Sequence, residues 1–439
     1  MSARRTPPWP LVALFTAGYL APYLLPTTVG RLDSGLPLTA TQAGAIGSAL
    51  LLSSATAGFL LAMGVPPARA KSRAWGRADR IGPRALARAG LVLAALGYGG
   101  AALTGVVPAV VAGVVVGGFG SGTVTAVAVS GIAAQRDPHR VTTLGLLGVS
   151  ALAGALCLTV PHLGAGHAQP QAALALTACA VWPFTGRLPA RSTGAAPAGR
   201  APTAPTAPTA PTAPTAPGAR RQRAARLPRA GQGVVLAAAM PCWSLAQNAL
   251  WGVSGRIGLV QARLTESAVG AVFAVALGAG LLGVTGARVL GPRFGRALPI
   301  GAGTALIAAC VALSASATGL ASFAAGEIAW NVLYPIVLSY LIGLAASLDA
   351  QGRWAVLVGS ASSLGTAAGP LTGSVLAAQA GFPVMGAVLA AGLLVVAAPL
   401  TAVALRAGRG VPPVVEIPVD SPAVPTRGAY GKAAASPAP

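Results

Sequence analysis

The sequence predicts an all-α polytopic membrane protein, and three observations carry that prediction. Hydrophobic residues make up 54% of the 439-residue chain and charged residues only 9%, with mean hydropathy +0.70; soluble domains carry about 25% charged residues. The apolar residues come in long uninterrupted runs, and the lysines and arginines fall between the runs. Helices are expected rather than a barrel, because continuous runs of this length do not alternate as membrane strands do.

Twelve runs reach or approach the roughly 20 helical residues that cross a hydrocarbon core of about 30 Å. They are 9–30, 42–65, 85–105, 106–134, 141–161, 170–186, 233–260, 267–290, 298–317, 320–347, 354–378 and 383–405. The sixth is short and the fourth is rich in glycine. Between the sixth and seventh runs lies APTAPTAPTAPTAPTAP, residues 201–217, whose prolines favour solvated polyproline II over helix. Eight arginines and no acid flank it, which places this linker in an aqueous, cytoplasmic compartment. The predicted organisation is therefore a six-helix half at 1–186, a basic linker at 187–232, a second half at 233–405 and a disordered tail at 406–439.

Charge distribution sets the orientation. With the N-terminus inside, 27 of the 30 lysines and arginines lie on the inner side, and only Arg31, Arg256 and Arg263 lie outside. Such asymmetry is what the positive-inside rule produces, and it predicts a multi-pass protein of the plasma membrane with both termini cytoplasmic. The net charge of +22 follows from these loops, not from one basic folded face, so nucleic acid is not the expected partner. Cys157, Cys179, Cys242 and Cys310 sit singly in apolar runs, and His139, His162 and His167 have no metal-ligand spacing, so neither a cofactor nor a metal is expected.

The two halves repeat one another. LTATQAG (Leu38–Gly44) answers LTESAVG (Leu264–Gly270), each ahead of the second helix of its half. Arg80 answers Arg293, Asp137 and Arg140 answer Asp349 and Arg353, and Gly154 answers Gly369. Equivalent runs are six apart, so both halves run the same way: a parallel six-plus-six repeat.

These residues resemble the major facilitator superfamily of secondary transporters. WGRADRIGPR (Trp75–Arg84) is similar to that family's loop motif at Asp79, Arg80, Gly82 and Arg84, and departs from it at Trp75, Arg77 and Pro83; GPRFGR carries a degenerate copy at Arg293 and Gly295. The resemblance implies alternating access by rocking of the halves, with Asp79 and its neighbours clamping the cytoplasmic side in the outward-open state. The first half carries about 13 more residues than the second here, a basic insert at 64–76 suited to anionic lipid. The resemblance also implies that the first, fourth, seventh and tenth helices line a cavity.

Only one acid, Glu327, lies well inside a run, and an ionisable group there is costly unless it serves a function. Glu327, Asn331 and Tyr334 are expected on one face at i, i+4 and i+7, with Trp330 adjacent. Gln247, Asn248 and Trp251 cluster in the seventh run, Arg256 stands near its end, and Tyr19 and Tyr23 mark the first. Their readings are cavity lining for substrate or protons, or hydrogen bonding between helices and an interfacial aromatic belt. Gly113/Gly117 and Gly118/Gly122 in the fourth run read as packing. GTAAGPLTG (Gly365–Gly373) reads as a kink or hinge.

No nucleophile–base pair or phosphate loop appears, so an enzyme is not expected. The expected function is secondary active transport of a small organic molecule, with efflux and proton coupling through Glu327 as its finer form. The alternative is a non-transporting sensor or assembly protein that keeps the fold.

Overall fold

The computed structural model describes residues 8–63, 82–164, 166–189, 229–291, 293–349 and 353–408. Asp79, Arg80, the insert at 64–76, the repeat at 201–217 and the tail from 409 lie outside the described residues.

Twelve helical passes are present among the described residues. Helix α1 is Trp9–Tyr23, continued after a break at Leu24 by Leu25–Gly35. There follow α2 Ala40–Met63, α3 Pro83–Leu103, α4 Val107–Ala133 and α5 Pro138–Thr159. Helix α6 is Ala168–Val181, extended in 3-10 form by Trp182–Arg187. Then come α7 Ala230–Arg256, α8 Glu266–Leu290, α9 Ala297–Ala315 and α10 Leu320–Leu348. Helices α11 and α12 are the two arms of Arg353–Gly408, which turns at Gly381, where φ is 79°. Nine of the described helices are each long and apolar enough to cross a membrane. The bent α1, the extended α6 and the second arm of Arg353–Gly408 complete the twelve.

Two boundaries differ most from the sequence reading. The first run extends to Gly35, because its two segments meet at a bend of 49° and the second continues the path. Pro22 and Pro26 flank the bend; each lacks an amide donor, so the ladder loses bonds on both sides of Leu24. The sixth ends its α-helix at Val181, where Pro183 opens the tighter 3-10 segment.

The internal repeat is helix-start chemistry. Thr39 and Gln42 form a reciprocal capping box at α2, with Thr39 N donating to Gln42 Oε1 (2.8 Å) and Gln42 N to Thr39 Oγ1 (3.3 Å). Its counterpart Thr265 caps α8 by accepting from Ala268 N at 3.3 Å. Asp137 caps α5 through Arg140 N at 2.9 Å, and Asp349 accepts from Arg353 N at 3.3 Å and Nε at 2.7 Å at the start of α11. The glycines that close the first motif pair make the close approaches between halves. A Cβ on Gly44 would stand 2.2 Å from Ser374 Oγ, and one on Gly270 2.1 Å from the Cys157 carbonyl oxygen.

Glycines also set the packing within each half. A Cβ on Gly97 of α3 would lie 2.3 Å from the Gly117 amide nitrogen, and one on Gly122 2.1 Å from Ser54 O of α2, so the two GxxxG pairs of α4 serve two different neighbours. Gly365, Gly369 and Gly373 do the same for α11 against α7; a Cβ on Gly365 would be 2.0 Å from Pro241 O. The expected kink or hinge at GTAAGPLTG is therefore a packing stripe. The only non-helical backbone within that long segment is at Gly381.

The two halves lean together at one end. Their cross-half hydrogen bonds, ion pairs and glycine contacts among the described residues all lie between the middle of the bundle and the end away from the chain termini. Examples are Leu371 N to Ser48 Oγ at 2.9 Å and the Gly255–Pro26 approach.

Candidate functional site

The site is built where α7 and α10 run antiparallel through the second half. As α7 advances through Trp243, Gln247 and Ser254, α10 returns through Tyr334, Trp330 and Glu327. Trp243 stacks on Tyr334 at 5.4 Å and 15°, the Trp330 indole N–H donates to Gln247 Oε1, and Ser254 Oγ donates to Glu327 Oε1 at 2.8 Å. Trp251 tilts against Trp330 at 5.6 Å and sends its own N–H across the halves to Pro22 O at 3.0 Å.

Glu327 is completely buried, in the seam between α7, α9 and α10. Ser314 of α9 brings a second hydroxyl to the same carboxyl. Neither Glu327 Oε2 nor Ser314 Oγ has an aligned hydrogen-bond partner among the described residues. A buried carboxyl with one bonded and one open oxygen has room for a proton there, which would turn Oε2 into a donor facing a hydroxyl.

The expected common face of Glu327, Asn331 and Tyr334 divides. On a helix of 3.6 residues per turn, Asn331 stands about 40° round from Glu327. That rotation carries it toward Gly280 of α8, while its amide donates to Glu327 O at 3.0 Å. Trp330, expected only as a neighbour, makes the link to α7. Asn248 points the other way, donating to Ser244 O (2.9 Å) and Thr366 Oγ1 of α11 (3.3 Å).

In the first half, Tyr19 stacks on Phe15 at 4.5 Å, and both Tyr19 and Tyr23 are partly buried. Tyr334 of α10 lies within electrostatic reach of both, so these three phenols stand near one another where the halves face each other. Arg256 does not reach this space with a free charge: its Nε is 2.9 Å from Asp33 Oδ2, and its guanidinium lies over the Phe382 ring at 5.6 Å.

The described part of the loop motif acts within one half. Arg84 donates to the carbonyl oxygens of Leu188 (2.6 and 3.0 Å) and Gly186 (2.7 Å), tying the start of α3 to the end of α6. Gly82 is the N-cap of α3. Arg293 and Gly295 form the α8–α9 turn, where Gly295 takes φ 62°. No group of three metal-ligating side chains occurs among the described residues.

Sequence reasoning missed Trp243, Ser254 and Ser314. Serine and tryptophan in an apolar run carry little signal alone; their antiparallel spacing against Glu327 and Tyr334 was the available clue.

No protein-family model matches the chain, and no curated protein does either. Solved structures do. The human organic anion transporter MFSD10 (TETRAN) superposes with TM-score 0.58 at 17% identity, over 90% of this chain and 100% of that one. The nucleoside transporter NupG gives 0.64 at 13%, over 90% and 99%. A bacterial homologue of the human lysosomal transporter Spinster, in an inward-facing and unoccupied conformation, gives 0.57 at 14%, over 92% and 95%. The chain has the fold of these membrane transporters, the major facilitator fold that its loop motif and internal repeat resemble.

Proposed function

We propose that the chain is a secondary active transporter of a small organic molecule, working by alternating access and driven by protons that Glu327 takes up and releases. The observation that carries this reading is Glu327 itself: a fully buried carboxyl with one open oxygen, on the helix that also presents Trp330 and Tyr334. Such a group is costly in a membrane interior, and its two protonation states favour different packings of the α7–α10 seam. With the termini cytoplasmic in the plasma membrane, as the loop charges favour, the conformation described is inward-facing. The linker at 187–232 then joins halves 1–186 and 233–405 on the inner side.

The solved neighbours include an organic anion transporter and a nucleoside transporter, so the fold does not choose the cargo. The residues favour a neutral, amphipathic or cationic molecule. Tyrosines and tryptophans offer apolar faces and cation–π surfaces, and Arg256, which among the described residues stands near the end of α7 beyond Trp251, is already paired.

The test is uptake of a mixed small-molecule panel into proteoliposomes with and without an imposed proton gradient. Gradient-driven accumulation of at least one compound supports the reading. Accumulation that ignores the gradient removes the coupling, and absence of flux for every class of compound removes transport.

A further inference from the structure

We propose that Arg31, Asp33, Arg256 and Glu266 form a reciprocal four-charge latch that holds the far end of the bundle shut, and that both pairs must break together when that end opens. Arg31 Nη2 lies 2.6 Å from Glu266 Oε2, and Arg256 Nε lies 2.9 Å from Asp33 Oδ2. Arg31 and Asp33 belong to α1, whereas Arg256 and Glu266 belong to α7 and α8, so each half contributes one cation and one acid, and each cation reaches into the opposite half.

Several independent features converge on these four residues. Arg31 and Arg256 are two of the three cations that violate the charge asymmetry of the loops, and Asp33 and Glu266 are the acids that stand on the same side. Charges on the disfavoured side are thus nearly all used in these two contacts. The arginines also occupy equivalent places in the internal repeat: they are 225 positions apart, and the motifs at Leu38 and Leu264 are 226 apart. The two cations are therefore repeat-equivalent, whereas their acids are not: Asp33 stands on α1 and Glu266 on α8, 233 positions apart.

Each arginine is anchored by its own half. Arg31 also donates to Gly164 O at 2.7 Å and Val160 O at 3.4 Å, both in the first half, and its side chain is only 6% exposed. Arg256 is held over Phe382 of α12. Its contact with Asp33 is an ion pair by distance without hydrogen-bond alignment, since Arg256 Nε and Nη1 have no aligned partner. The acids are the more exposed members, Glu266 at 42% and Asp33 at 24%, so water can take over the carboxylates as the halves part while the arginines keep their local partners. That division makes the contact releasable. A contact present in one state only biases the equilibrium toward that state. A π-helical turn, Ile257–Gln261, follows Arg256 directly and gives α7 local slack where the latch must release.

The latch presupposes the rocking motion of the proposed transport cycle, but its test reads conformation and needs no substrate. Hydrogen–deuterium exchange would be followed in the full chain in lipid nanodiscs, comparing peptides spanning 25–45 and 255–270 with peptides of the opposite end. Glu266→Gln and Asp33→Asn, both at partly exposed sites, should each speed exchange at the far end by roughly fivefold, and the double variant should do more than either. Exchanging charges, Asp33→Arg with Arg256→Asp, should return the far end toward wild-type protection. Unchanged exchange in the double neutral variant overturns the latch, and so does a charge exchange no better protected than Asp33→Asn. If the latch behaves as predicted while flux is absent, it is the transport reading that fails; normal flux with unaltered exchange removes the latch alone.

Discussion

Two helices that the repeat makes equivalent, α4 and α10, are built in opposite ways. Helix α4 is built of glycine and valine, contains no ionisable residue, and uses its glycines to admit the backbones of α3 and α2. Helix α10 buries Glu327, sets Trp330 on Gln247 and stacks Tyr334 on Trp243. One position in the fold serves as a rigid wall in the first half and as a polar seam in the second. A repeat conserves backbone paths, caps and helix crossings, and leaves the chemistry free to collect on one side. The asymmetry of this protein therefore lies in side chains, on helices that occupy equivalent places in the repeat.

The wall should be the easier side to break outright. Gly97→Leu places a side chain where even a Cβ meets the Gly117 backbone nitrogen at 2.3 Å, and backbone on both sides leaves nothing to yield. Overpacking of that kind costs about 1–3 kcal/mol or more, and the expected outcome is loss of folded protein on size-exclusion chromatography. Gly99→Leu, two residues away and with only the Ala175 side chain near it at 3.8 Å, should leave the profile unchanged.

The seam should fail more selectively. Trp330→Phe keeps the ring but removes the N–H, leaving Gln247 Oε1 buried without its donor. A buried unsatisfied group costs about 1–3 kcal/mol, so thermal unfolding should begin several degrees lower. Phe at Tyr334, whose ring stacks on Trp243, should be nearly silent in the same assay. The smallest effect is expected at a cap that both halves share. Asp137→Ala removes the 2.9 Å acceptor for Arg140 N, worth about 1 kcal/mol, and should lower the melting temperature slightly without moving the seam.

How much of this was legible beforehand follows the same division. Run lengths, loop charges and the LTxxxxG repeat all reflect local rules of helix length, membrane orientation and capping, so the twelve crossings could be read from them. The GxxxG spacing in α4 announced packing for the same reason. The stripe Gly365, Gly369 and Gly373 has that spacing too, but Pro370 inside it suggested a hinge, and only the proximity of Pro241 and Ala249 reveals the crossing. Arg256 looked like a cavity charge because its partner, Asp33, lies 223 positions away. Ser254 and Ser314 were silent for a related reason: a hydroxyl in an apolar run means little until the carboxyl opposite it is in place.

The most direct test of the central claim is proton movement itself. A pH-sensitive dye trapped in proteoliposomes would report protons carried when a transported compound is added, for the wild type and for Glu327→Gln. Coupling through the buried carboxyl predicts a substrate-dependent proton flux in the wild type that is lost in Glu327→Gln, whose fold, judged by melting temperature and size-exclusion profile, stays intact. An undiminished proton flux in the folded variant would contradict the account, because protons would then cross without the one acid buried in the seam.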